Sequence, residues 1–378
     1  MDLNALREEI DKIDDQLIEL YCRRMEIVAK VADYKIANKL PVYHAEREKA
    51  IIQKVREKAG KQYADGAAEL FQTMMDISKN SQNEKMAERS ELYNKILSAE
   101  KKVDLKAIST VACQGVKGAY SYEAAKKMFA QPQISYYDSF LEVFQAVESG
   151  ECEYGILPIE NSSAGSVLAV YDLMKRFNFY ICKSLRLSVS HKLLACGNAS
   201  FETITDVYSH SQALSQCSDF FENNKQIKSH IFSNTAMAAK YVSELCDSTK
   251  AAIASEECAS LYNLKIIKSD FQNSNLNYTR FICISKKLKI SDDANKISLS
   301  LRLPNVAGSL YRFIQQFALH NLNLIKLESR PVPETNFEFM FYFDFEGHVA
   351  EKRILSLLCA LHNQLEYFEF LGNYNEIE

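Results

Sequence analysis

Arg24 is the residue whose type fits its position least. Leu3, Leu6, Ile10, Ile13, Leu17 and Leu20 recur at alternating spacings of three and four, and Ile27, Val31 and Tyr34 continue the register. That heptad seam describes one long helix that pairs with another and predicts a dimer. Arg24 falls on the seam, where an unpartnered guanidinium is costly, so it should meet an anion there. Lys35, eleven residues on, lies about 20° around and roughly 16 Å along the same face. Arg7 is about 25 Å from Arg24 along the axis, too far to grip the same small ligand. If Arg7 contributes, it comes from the partner chain of an antiparallel pair. Ser78 and Gln82, in LFQTMMDISKNSQ, share a helix face at i, i+4.

Further along, the residues that could do chemistry are neutral. Hydroxyl and amide side chains gather at four strand-to-helix turns: Gly115–Ser121, Asn161–Ser166, Ser209–Ser211 and Ser233–Thr235. One such turn is an ordinary N-cap. Several converging at the carboxyl ends of parallel strands would form a cleft for an anion, because helix N-termini expose backbone N–H groups and partial positive charge. The pair Gly115 and Gly118 lacks the third glycine of a dinucleotide fingerprint, which argues against an NAD-dependent dehydrogenase. His191 and His210 sit at element boundaries and are read as structural, and Cys217 as a buried thiol.

The elements that must position these residues fall into three stretches. Thirty-five of the first 95 residues are charged, yet that stretch holds only two of eleven glycines and one of six prolines. Helix breakers are almost absent, so it should be all-helical, with PVYHAERE opening a second helix. From about Ile108, short apolar runs followed by polar turns and helical patterns predict an α/β region with a largely parallel sheet. SKKLKISDDANK (285–296) reads as a linker. Beyond it the order is βαββαβ, a small two-layer α+β domain.

At 378 residues the chain is long enough for two or three domains. A net charge of −4 excludes the basic footprint of a nucleic-acid binder. No apolar run is long enough to span a bilayer, and MDLNALREEIDKIDD has no apolar signal core. Ten cysteines without a CxxC pair suit a reducing compartment and neither a disulfide framework nor a zinc site. The expectation is a soluble cytoplasmic protein.

Three resemblances sharpen this outline. Arg7, Arg24, Lys35, Arg47, Glu48, Ser78 and Gln82, over residues 3–86, resemble the all-helical class of chorismate mutase. The resemblance implies an intertwined homodimer whose sites each borrow Arg7 from the other chain; His44 stands where this class often has aspartate. PIENSSAGSV (158–167), VYSHSQALSQC (207–217) and NYTRF (277–281) resemble prephenate dehydratase over about 106–286. This match implies a two-lobed α/β fold like the type II periplasmic binding proteins, with Thr279 as the central catalytic residue. Asn161, Ser162, Ser209, Gln216 and Thr235 would line the site, with Ser121 and Arg280 beside them. NVAGSLYRF (305–313) and LESRP (327–331) resemble the ferredoxin-like ACT domain of such enzymes. They imply a phenylalanine site formed by Gly308, Ser309, Leu310, Glu328, Ser329, Arg330 and Pro331.

The expected organisation is therefore an all-α mutase domain (1–90), an α/β dehydratase domain (106–286) and an α+β ACT domain (296–373). Chorismate and prephenate would be the substrates and phenylalanine the effector, with no cofactor, metal, nucleic acid or membrane involved. The mutase rearrangement transfers no proton. It needs cationic clamps to hold a compact dicarboxylate, which Arg7 and Arg24 suit, and donors at the ether oxygen, which Lys35 and Gln82 suit. Glu48 would orient the ring hydroxyl. In the dehydratase, a polarised Thr279 hydroxyl would help hydroxide leave as CO2 departs. Two rivals stand beside this reading: a non-catalytic two-lobed sensor, and a dehydratase whose mutase-like helices are only a dimerisation stalk.

Overall fold

The computed structural model describes residues 2–101, 109–274, 276–332 and 338–377. The expected start of the dehydratase domain, at 106, lies outside them. The chain divides into two compact units: residues 1–98 with 297–370, and residues 99–296 with 371–378.

In the first unit, helix Leu3–Ala37 begins at Asp2, whose carboxylate accepts the Asn4 N–H, and ends before Lys39, at φ 55°. A second helical run, Ala45–Met86, breaks at Gly60, where φ 69° and ψ 165° are not helical. His44 caps it: Nδ1 accepts the Arg47 N–H at 3.3 Å, the service an aspartate would perform there. The heptad seam is bare. Leu3, Ile10, Ile13, Leu17 and Ile27 are each more than half exposed, and Ala32 is the one buried residue of the helix.

The same unit carries most of the predicted βαββαβ text, as strand Lys296–Arg302, helix Ser309–Leu319, strands Leu324–Pro331 and Phe339–Glu346, helix Lys352–Gln364 and the start of strand Phe368–Ile377, whose residues from 371 onward belong to the second unit. Their sheet order, second-third-first-fourth, is the ferredoxin-like one. Phe313, Phe317, Phe343 and Phe345 stack between helix and sheet, centroids 4.6–6.3 Å apart. Helix Lys352–Gln364 packs on Ala45–Met86, and two polar contacts, Tyr311 to Glu69 and Gln315 to Thr73, add to that junction.

The second unit has two lobes. One sheet runs Tyr180–Ser188, Tyr278–Ser285, Tyr154–Asn161, Ser109–Gln114 and Pro132–Tyr137, with residues 375–377 added parallel to Tyr180–Ser188. The other runs Lys265–Lys268, Lys192–Ala195, Lys250–Ala254, Asp206–His210 and Lys228–Phe232. The chain crosses between lobes twice, at 189–191 and 269–277, and the crossings touch where Val189 N–H donates to Asn277 O at 2.8 Å. This corrects the expectation of a largely parallel sheet. The returning strand Tyr278–Ser285 runs antiparallel to both neighbours, as Lys192–Ala195 does in the other lobe. The supposed linker is also packed: Leu288, Lys289 and Ile290 are buried, with Lys289 Nζ bonded to the Tyr154 hydroxyl at 2.7 Å and to Glu153 at 2.6 Å.

Candidate functional sites

In the helical unit, Arg24 projects from the first helix toward the second. Its Nη1 donates to Ser78 Oγ at 2.5 Å and to Met74 O at 3.3 Å. Gln82, one turn beyond Ser78, donates to Ser78 O at 3.2 Å, and its Oε1 is buried with no hydrogen-bond partner among the described residues. A polar atom in that state is where a ligand or partner group belongs. Lys35 donates to Val42 O at 2.7 Å; partial burial and the nearby Arg47 hold its pKa below the usual lysine value, with Glu48 opposing them. Glu48 is held by Lys79 at 3.1 Å, and Lys79 also meets Asp76 at 2.8 Å. Arg24, Ser78 and Gln82 thus form one cluster, with Lys35, Arg47 and Glu48 a second group at the start of the second helix. Arg7 stands apart, exposed beside the bare seam.

In the two-lobed unit a cavity of about 410 Å³ opens between the lobes. Gly115 is in its lining: at φ 101° a side chain would be strained, and its Cβ would fall 3.3 Å from that of Ala119. Thr279, at the head of its strand, is the register partner of Asn161. Asn161 Oδ1 accepts the Ser163 and Ala164 backbone N–H groups at 3.0 and 2.9 Å, which fixes the amide. Nδ2 then faces Thr279 and donates to its Oγ1 at 2.9 Å. With that lone pair occupied, the threonine's own hydrogen is directed to another acceptor, and Thr279 lines the cleft.

Asn161, Gln216, Thr235, Ser121 and Thr279 all line this cavity. Thr235 opens helix Thr235–Leu245, whose cap Asn234 accepts the Met237 N–H at 2.7 Å. Ser121 is turned back, its hydroxyl donating to Gln114 O at 2.6 Å.

Three expected residues are not in the lining. Ser209 is fully buried and donates to Ile253 O at 2.6 Å, bracing adjacent strands. Ser162 pins the approach to strand Tyr278–Ser285, donating to Leu276 O at 3.1 Å and accepting from Tyr278 N–H at 3.0 Å. Arg280 follows Thr279 on the strand and so faces the opposite side. There its Nε meets Glu376 at 2.8 Å and its Nη2 the Tyr374 hydroxyl at 2.5 Å, while Lys296 also pairs with Glu376.

The structure adds residues that sequence reasoning passed over. Asn277, within the NYTRF string, is buried and accepts from Asn161 Nδ2 at 2.9 Å. His210 caps helix Ser211–Ser215 through Nδ1 and also lines the cavity. His191 has partners that the sequence did not reveal: Nε2 lies 2.9 Å from Gln216 Oε1, and Nδ1 3.4 Å from the Tyr120 hydroxyl. Burial holds its pKa below the ordinary histidine value, so the imidazole is neutral at neutral pH.

The expected effector residues divide as well. Ser309 and Leu310 border a cavity of about 130 Å³ with Leu303, Pro304, Asn305, Val306, Phe339 and Phe341. Gly308 precedes that helix at φ 79°. Glu328, Ser329, Arg330 and Pro331 lie on the edge strand, opposite Tyr342, Phe341, Met340 and Phe339.

Two family models match this chain, one after the other. Residues 6–83 match the family model of chorismate mutase type II, and residues 111–289 that of prephenate dehydratase. A bifunctional chorismate mutase/prephenate dehydratase from Enterobacter agglomerans is 31% identical over 98% of this chain and 95% of its own length. One from Aquifex aeolicus is 29% identical over 99% and 98%. Among solved structures, the prephenate dehydratase from Arthrobacter aurescens, in complex with L-Phe, is 25% identical with a TM-score of 0.63, covering 70% of this chain and 89% of that one. With both catalytic modules matched in order and the likeness running nearly end to end, the chain belongs to the bifunctional chorismate mutase/prephenate dehydratase family.

Proposed function

We propose that the two reactions use the two residue sets just described, that the chain works as a cytoplasmic homodimer, and that phenylalanine acts on its C-terminal ACT domain. The observation that carries the dehydratase assignment is the Asn161–Thr279 hydrogen bond, which leaves a hydroxyl hydrogen to donate. Prephenate aromatises as CO2 and the ring hydroxyl depart, and Thr279 donates to that hydroxyl as it leaves. In the mutase, Arg24 clamps a carboxylate of chorismate. Lys35 and the second Nε2 hydrogen of Gln82 donate to the ether oxygen as negative charge develops there, with Arg47, Ser78 and Glu48 holding the rest of the ligand. Ten free cysteines suit a reducing compartment. Among the described residues, no helix is long and apolar enough to cross a membrane. One coupled assay separates this reading from its rivals. Chorismate supplied alone should yield phenylpyruvate; a sensor would turn over neither substrate, and a dehydratase on an inert stalk would need added prephenate.

The bare seam of the first helix supports the dimer, since an apolar face of that length calls for a partner. In an antiparallel pair, Arg7 of the partner subunit reaches the Arg24 site. Mixing Arg7→Ala chains with Arg24→Ala chains should then restore mutase activity toward a quarter to a half of the parent's. Each homodimer has both sites spoiled, whereas a mixed dimer has one site carrying both lesions and one carrying neither. No recovery, with mixed dimers shown to form, would place Arg7 outside the site.

Regulation rests on Gly308. At φ 79° a larger residue is strained, and its Cβ would fall 2.7 Å from Arg312 Nη1 at the start of the helix that would receive the amino-acid carboxylate. Gly308→Leu should weaken phenylalanine binding by about tenfold or more in calorimetry, and dehydratase activity should persist at phenylalanine concentrations that silence the parent. Coupling of about 1–3 kcal/mol between effector and active site is the usual scale. Undiminished binding would move the effector site elsewhere.

A further inference from the structure

We propose that His191 is a positioning residue of the dehydratase: it and Asn277 hold the Gln216 side-chain oxygen so that the Gln216 NH2 group faces the cleft as a donor to substrate carboxylate. The inference rests on the reading that prephenate occupies this cleft.

The orientation follows from a chain of assignments that begins at the backbone. Two main-chain N–H groups fix Asn161 Oδ1, so Asn161 Nδ2 donates to Asn277 Oδ1. Asn277 must then present its own Nδ2 to Gln216, which it does at 3.0 Å from Oε1. The atom of Gln216 facing His191 is therefore oxygen, and the proton between them belongs to His191 Nε2, 2.9 Å away. Nδ1 is left as an acceptor toward the Tyr120 hydroxyl. The backbone that carries the imidazole is itself tied, since the His191 main-chain N–H donates to Gln272 Oε1 at 3.0 Å.

Enforcing one orientation of Gln216 matters because of what the cleft lacks. Among the described residues, no lysine or arginine lines the cavity. Prephenate carries two carboxylates, which neutral donors and the N-terminus of helix Thr235–Leu245 must therefore meet. A flipped Gln216 would turn its oxygen on a carboxylate, replacing attraction with repulsion. Two donors converging on Oε1 forbid the flip.

The carboxylate it meets is the one retained in phenylpyruvate, bound before and during reaction alike, so loss of the contact belongs in KM and not in kcat. His191→Leu should raise the KM for prephenate by about tenfold to a hundredfold, the scale of one hydrogen bond to a charged group, with kcat within a few-fold of the parent. His191→Gln, which can return an N–H at the reach of Nε2, should recover most of that loss. In a Gln216→Leu chain, adding His191→Leu should change KM no further. Asn277→Leu offers an independent route to the same result if His191→Leu does not fold, as judged by its thermal melt. An unchanged KM in His191→Leu overturns the proposal, as does a full additional loss in the Gln216→Leu chain. A collapse of kcat at constant KM also overturns it and makes His191 an acid in the reaction. Should Gln216→Leu itself leave the KM for prephenate unchanged, the assignment of the cleft is what has failed.

Discussion

Thr279→Ala should leave a chain that still turns chorismate into prephenate but releases almost no phenylpyruvate. Removing one preorganised donor aimed at developing charge costs about 10²–10³-fold in turnover, and that is the scale expected here. The KM for prephenate should move little, because the hydroxyl matters most as the leaving group takes on charge. The fold should tolerate the change. Asn161 keeps its bonds to the Ser163 and Ala164 N–H groups and to Asn277, so the loop that presents it stays closed when Oγ1 is removed. Thr279→Ser retains the hydroxyl and should recover a substantial part of the rate. Quenched time points by chromatography, with chorismate as the only substrate, would show prephenate accumulating. A variant with normal turnover and only a raised KM would demote Thr279 to a binding residue.

Arg24→Ala should do the reverse, abolishing the mutase while added prephenate is still converted. Loss of a carboxylate clamp removes about 3–4 kcal/mol of transition-state stabilisation, roughly 10²–10³-fold in kcat/KM. The helices should survive it, since Ser78 Oγ also donates to Met74 O at 2.6 Å and is not orphaned without the guanidinium. Arg24→Lys should be only a partial substitute, because an ammonium cannot reproduce the two-pronged guanidinium contact. The measurement is the fall of chorismate absorbance, followed by addition of prephenate to the same sample. Near-normal mutase turnover in Arg24→Ala would make this arginine an ordinary interhelical contact to Ser78.

Periodicity and composition determined a great deal by themselves. The 3–4 spacing from Leu3 to Tyr34 specifies a helix with one apolar stripe, since residues three and four apart share one face only at helical periodicity. The absence of breakers makes the first stretch helical without reference to anything distant. The βαββαβ domain is legible because short apolar runs and helical patterns follow one another in that order. Arg24 was conspicuous for a local reason too: it interrupts a pattern.

Tertiary structure decided what depends on residues far apart in the chain. Whether Thr279 or Arg280 faces the cleft turns on one residue of strand register, and a carboxylate 96 positions on, Glu376, receives the arginine. Ser209 looked like its neighbours in sequence but spends its hydroxyl on Ile253 O, across a strand pairing that only the folded sheet creates. The stretch 285–296 reads as a linker because lysines and aspartates dominate it, yet Lys289 finds Tyr154 and Glu153 more than 130 positions away and is buried with them. His191 is the extreme case. A lone histidine before a strand carries no local signal, and its orienting contact exists only because two chain crossings bring Gln216 and Asn277 to it. Amphipathic patterns repeat along the chain and can be read there; a hydrogen-bonded side chain needs a partner at about 3 Å, and the fold alone supplies that neighbour.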